Sequence, residues 1–242
     1  MPTSRPGARR RGLVAVLAVL AAAANGPPAG AGNEQPGDRP PAVDRHPDLR
    51  RLSPTDEIWL DKDAGRVVVG GEIALAEGGI EVFACPRQTK EHEAVVATRC
   101  PARLVHAAQL AIGLEPGRPV AFHPEYQPAA GPRVLIMVRW RDAAGGLQER
   151  PARELVRNTK TGRHLETDWV FAGSSFWVDP ADGSEHYQAD GGDMICVSNF
   201  PTAMLDLPIA SSESNEALLF EAFTERLPPP GTAVELVLSA GE

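Results

Sequence analysis

Short runs of β-branched and aromatic residues, separated by Gly-, Pro- and Asp-containing turns, recur from Glu57 to Leu238 and restrict this chain to a strand-dominated fold. Glu57-Ile-Trp-Leu60 and Arg66-Val-Val-Val69 flank the turn-rich Asp61-Lys-Asp-Ala-Gly65, which predicts a hairpin. Gly71 to Leu75 is expected to continue it past a break or bulge at the Gly-Gly pair. Further strands are predicted at Ile80–Ala84, Arg133–Trp140, Leu147–Val156, Asp168–Phe171, Glu185–Gln188, Met194–Val197 and Ala233–Leu238. One helix stands out over Pro101–Ile112, with Pro at its start, Gly113 at its end and Leu104, Ala107, Ala108 and Ala111 as its apolar face. Glu216–Phe223 is short enough to be helix or strand. The expected fold is α+β and β-rich: antiparallel sheet with one or two short helices packed on it, in a single domain.

The N-terminus carries a different signal. Arg5, Arg9, Arg10 and Arg11 precede an unbroken apolar run from Gly12 to Ala24, 13 residues long. A spanning helix needs about 20, whereas the apolar part of a secretory signal needs roughly 7 to 15. Residues 1–24 are therefore expected to be a signal peptide, cleaved after Ala22-Ala23-Ala24. Residues 25–54, with Pro36, Pro40, Pro41 and Pro47, are expected to be a Pro/Gly-rich disordered linker, leaving 55–242 as the domain. No later segment is apolar enough to span a membrane. The expected location is the periplasm or the cell exterior.

Losing the leader removes four of the 24 basic residues and none of the 32 acidic ones, so the net charge moves from −8 to about −12. That excludes a broad nucleic-acid surface, which needs a positive field. Arg150, Arg153, Arg157, Lys160 and Arg163 form the basic exception, read as a solvated edge.

Chemistry concentrates in Cys85-Pro-Arg-Gln-Thr-Lys90-Glu-His92-Glu93, which places a thiol, an ammonium, an imidazole and carboxylates directly after a strand. Cys85, Lys90, His92, Glu93 and His106, with Asp190, Asp193 and Asn199 from a second polar stretch, make up the expected ligand-binding set. Lys90 would hold an anion there. Cys85, His92, His106 and Cys196 are the weaker expectation of a zinc or copper site, since Cys-x6-His-x7-Cys-x5-His matches no standard zinc spacing. No cofactor is otherwise predicted. Three cysteines in an exported chain permit one disulfide, Cys85–Cys100 or Cys85–Cys196. His92-Glu93 lacks the second histidine of a zincin helix, and Gly173-Ser-Ser175-Phe-Trp177 lacks the last glycine of a nucleophile elbow.

Glu81-Val-Phe-Ala-Cys-Pro-Arg-Gln-Thr-Lys-Glu-His-Glu93 and Ala189-Asp-Gly-Gly-Asp-Met-Ile-Cys-Val-Ser-Asn-Phe-Pro201 resemble the hallmark segments of YdjY-like domains, bacterial proteins that are often exported. His106–Gly117, Pro124–Tyr126, Trp169–Ser174 and Phe220–Pro229 extend the resemblance across the whole domain. The resemblance implies no established activity, substrate or cofactor. It makes Cys100 less typical than Cys85 and Cys196. Some relatives accompany iron–sulfur or redox components, but the clustered cysteines that such a centre needs are missing. The functional expectation is an exported, non-catalytic ligand-binding or structural module of the cell envelope, whose partner is a small ligand or an envelope protein. The alternative is a metal-assisted hydrolase or thiol redox protein built on the Cys85, His92 and His106 region.

Overall fold

A computed structural model describes residues 44–211 and 218–241. The expected signal peptide, and the expected linker as far as residue 43, lie outside the described residues. The strands are β1 (Arg50–Arg51), β2 (Ile58–Asp61), β3 (Arg66–Ile73), β4 (Val82–Pro86), β5 (Ala94–Thr98), β6 (Arg133–Arg141), β7 (Leu147–Pro151) and β8 (Val156–Asn158). They continue as β9 (Trp169–Phe171), β10 (Phe176–Val178), β11 (Glu185–Tyr187), β12 (Ile195–Cys196), β13 (Leu205–Asp206), β14 (Phe220–Ala222) and β15 (Ala233–Ala240). The α-helix α1 spans Ala102–Ala111.

The expected open antiparallel sheet with helices packed on it does not form. Eight strands run in a ring, β3-β15-β6-β9-β13-β12-β4-β5, and β5 pairs back onto β3, which closes a barrel. Two of the ring's pairings, β4–β5 and β12–β13, are parallel. Closure depends on β3, whose first half (Arg66–Val69) pairs with β2 and whose second half (Gly71–Ile73) pairs with β5 along the same edge. The Gly-Gly pair is therefore no break. A Cβ on Gly70 would lie 2.2 Å from Glu57 Oε2, and one on Gly71 would lie 2.8 Å from the Ala97 carbonyl oxygen. The glycines let one strand change partner without a bulge.

The predicted hairpin forms as β2–β3, with Asp61 accepting from the Ala64 N–H (3.0 Å) and from Arg66 Nη2 (2.6 Å). β6 and β7 form the second, and β15 lies between β3 and β6 over seven residue pairs on each side. β6 alternates buried and partly exposed residues, as one face on a core requires. Val134, Ile136, Val138, Leu236 and Leu238 meet Phe83, Trp169 and Phe171 in the interior. The segment Glu216–Phe223 is a strand where it is described, with β14 pairing β8.

Residues 44–54 of the expected linker pack on the barrel's outer side. Asp44 accepts from Trp59 Nε1 at 2.8 Å, His46 lies edge-on to the Trp59 ring, and Leu49 joins Trp59, Val68 and Val237. An outward-facing tryptophan needs such a cover, since leaving it wet would forfeit its large apolar area.

The helix sits where its punctuation places it, but it turns a different face inward. Ala102, Val105, Ala108 and Gln109 are buried, while Ala107 and Ala111 are exposed. Alanine on every side leaves little contrast from which to choose a face. No helix among the described residues is long and apolar enough to cross a membrane.

Candidate functional site

The hallmark segment rises through β4 and turns at Gln88–Thr89, where both backbone N–H groups donate to the Glu91 carboxylate. Lys90 then opens a single 3-10 turn, Glu91–Glu93. Its ammonium lies 3.2 Å from Glu93 Oε1, 3.1 Å from Asp193 Oδ1 and 4.6 Å from the centre of the Phe200 ring. The stem crosses Gly192, which has φ +132° and whose absent Cβ would fall 2.5 Å from Lys90 Cγ. Asp193 also accepts from Thr202 Oγ1. One lysine thus fastens the two hallmark segments together.

Burial works against the Lys90 charge, but Asp193 and Glu93 outweigh it and hold the ammonium above its ordinary value. Glu81, buried beneath this cluster, moves the other way: burial first, then the Glu93 charge and a hydrogen bond with Glu93, raise its carboxyl. One cation among Glu81, Glu93 and Asp193 has no spare positive charge for an anion. The expected anion-binding role of Lys90 is therefore replaced by a clamp.

The thiols are equally committed. Cys85 packs with Val82, Ala94, Cys196 and Ala203, and burial pushes its thiol up to about 11. Burial also drives Cys100 and Cys196 well above the ordinary thiol value. All three are free and buried, so neither disulfide expectation is met. Neither does the expected metal set assemble. The His92 side chain is 78% exposed. His106 is held on α1 at 2.8 Å from the Tyr187 hydroxyl, with its ring edge-on to Phe171. Among the described residues no group of three or more His, Cys, Asp or Glu side chains could hold a metal ion. Burial lowers the His106 value below that of a free imidazole.

Asp190 accepts from the Arg103 backbone N–H (3.0 Å) and from its guanidinium, which ties residues 188–191 to the first turn of α1. Asn199 is buried at the centre of a second network. Its Nδ2 donates to Asp206 Oδ1 (3.1 Å), and its Oδ1 accepts from the Ser211 N–H (2.7 Å) and the Tyr126 hydroxyl (3.3 Å). Asp206 is fully buried on β13. Burial raises its carboxyl from 3.8 to about 7, although Asn199 and the Leu207 N–H donate to it.

Of the expected ligand set, Lys90, Glu93 and Asp193 meet directly, and Cys85 lies beside them in an apolar cluster with Cys196 of the expected metal set. His92, His106, Asp190 and Asn199 serve separate contacts. Glu81, Phe200 and Thr202 were missed. A lone acid in an apolar strand reads as an outward residue of the alternation, so Glu81 gave no signal; Thr202 and Phe200 lie in a segment that reads as a simple turn. Asp206 is noticeable in the sequence as a possible oxygen ligand beside Asp190 and Asp193, but it is buried on β13 against Asn199 instead. A cleft of about 310 Å³ opens elsewhere, lined in part by Asn158, His164, Glu166 and Phe220.

The segments that meet here are those that carried the family resemblance: Trp169 Nε1 donates to the Cys196 carbonyl oxygen at 2.7 Å, and Tyr126 reaches Asn199. No curated protein and no solved structure matches the chain. The family model of the YdjY domain matches residues 58–239, three-quarters of the sequence, and the chain belongs to that family.

Proposed function

We propose that this chain is an exported, non-catalytic binding module of the cell envelope, acting in the periplasm or outside the cell. The basic, then apolar, N-terminus supports export. The observation that carries the non-catalytic part is the state of the groups that could do chemistry. The Lys90 ammonium lies between two carboxylates, and the three thiols are buried with raised values. A nucleophilic cysteine requires the opposite, a lowered value and access to solvent. The polar cluster between β4 and β12 thus acts as a fastening, and binding falls to the surface of the domain.

Thiol labelling tests this. The exported protein is treated with iodoacetamide at neutral pH, with and without denaturant, and its intact mass is read. Three labels only after denaturation, on a chain that has lost its first 24 or so residues, is the expected result. A single thiol labelled rapidly in the native protein would overturn the non-catalytic reading in favour of thiol chemistry. A mass that still includes the leader would overturn cleavage.

A further inference from the structure

β10 and β11 form a two-stranded ribbon that shares no ladder with the barrel. Its root is fixed. The buried Tyr187 donates its hydroxyl to the Gly173 carbonyl oxygen (3.0 Å) and accepts from His106 Nδ1, and Ser174 Oγ donates to the Thr202 carbonyl oxygen (2.6 Å). Beyond the root, Phe176, Trp177 and Val178 are 63%, 47% and 53% exposed. The other three tryptophans, Trp59, Trp140 and Trp169, are at most 9% exposed. Consecutive strand residues point to opposite faces, so both faces of β10 are apolar and wet. Such a strand with an unpaired edge invites a further strand.

Charge narrows what that strand can be. Between Arg163 and Arg226 the sequence has no Lys or Arg and twelve Asp and Glu. Asp179, Asp182 and Glu185 lie on the ribbon itself. An anionic lipid surface or a nucleic acid would be repelled. A second copy is a poor match, because the four arginines of its basic run are already engaged: Arg150 pairs with Glu154, Arg153 with Asp168, Arg157 with Glu221 and Arg163 with Glu166. We propose that the β10–β11 ribbon docks an extended segment of a partner protein in which apolar residues alternate with Lys or Arg. The segment would add a strand to the ribbon and set its cations against Asp179, Asp182 and Glu185. This names the partner class for the binding module above and rests on that reading.

Trp177 emission reports the ribbon. The full chain is titrated with a short synthetic peptide alternating Val with Lys, and with matched peptides carrying Glu or Ser in place of every Lys. The expected result is a blue shift and protection from acrylamide quenching with the Lys peptide alone, weakened several-fold by added salt. Phe176→Ser should lower the affinity about tenfold, and Val178→Ser provides the same readout if Phe176→Ser fails to fold. The double variant Asp179→Asn, Asp182→Asn should bind more weakly and with less dependence on salt. Equal binding of the three peptides, or none, overturns the proposal. So does a response to phosphatidylglycerol vesicles without one to peptide, or self-association that Phe176→Ser abolishes. Loss of the peptide response while the thiols stay protected removes this surface and leaves the non-catalytic reading standing. A reactive thiol with the peptide response intact does the reverse.

Discussion

The barrel has two unlike walls. On one, β3, β15 and β6 are eight or nine residues long and are joined by continuous ladders. On the other, β9, β13 and β12 are two or three residues long. The long wall buries apolar side chains on the inner face of β6 in alternation, and on both faces of β3 and β15, where Val68 and Val237 lie beneath Leu49. The short wall and its flanks bury Glu81, Ser198, Asn199 and Asp206 as well. Where strands are short, fewer backbone groups are satisfied by neighbours in a ladder, and side chains supply the missing partners: Trp169 to the Cys196 carbonyl oxygen, Ser211 to the Val197 carbonyl oxygen, Asp206 to the Leu207 N–H. One wall is held by repetition and the other by individual polar contacts. The second is where the hallmark residues lie.

Four perturbations should separate the two walls. Trp169→Ala should be the most damaging, costing about 4 kcal/mol, because it empties a fully buried site and strips the Cys196 carbonyl oxygen of its donor; chemical denaturation measures it, and Trp169→Phe should recover more than half. Next is the pH dependence of the short wall. Asp206 holds its proton more tightly folded than unfolded, its value rising from 3.8 to about 7. Its stabilising effect is therefore complete below about pH 4 and is lost as the pH climbs to about 7. The loss amounts to up to about 4 kcal/mol. His106, lowered from 6.5, contributes in the opposite sense, its penalty fading as the pH rises toward 6.5. Urea melts between these limits should show a falling slope that Asp206→Asn flattens.

Leu236→Ala on the long wall should cost about 3 kcal/mol and leave that pH slope unchanged, since Leu236 is buried among apolar neighbours. An altered slope would mean that the two walls are not independent. Lys90→Met should cost about 2 kcal/mol by leaving Glu93 and Asp193 to face each other. That cost should shrink in acid as the carboxylates take up protons, which melts of the variant at low and neutral pH would register.

The same contrast explains what the sequence could convey. Long-wall strands carry long Val-, Ile- and Leu-rich runs with turn residues at their ends, Asp142–Gly146 after β6 and Asp61–Gly65 between β2 and β3, so Arg133–Trp140 and the β2–β3 hairpin were legible. Barrel closure was not, because it depends on Ala94–Thr98, an Ala- and Val-rich run that is buried throughout and shows no alternation. Lys90, Glu93 and Asp193, grouped together from the sequence, do meet in space, but sequence shows an ammonium without showing the two carboxylates that neutralise it. His106 reads from its helix neighbours as a satisfied, half-buried histidine as well as a ligand, and Tyr187, 81 residues on, is the partner that sequence could not show.

β15, the last strand of the ring in chain order, lies between β3 and β6. On a ribosome β3 emerges 167 residues before the strand that must lie beside it, as the Val69–Leu236 pairing shows. At about 5 to 20 residues per second, β3 waits many seconds with that edge unpaired. The barrel cannot close around its core until β15 has been synthesised, so the ring stays open while every other strand in it is made.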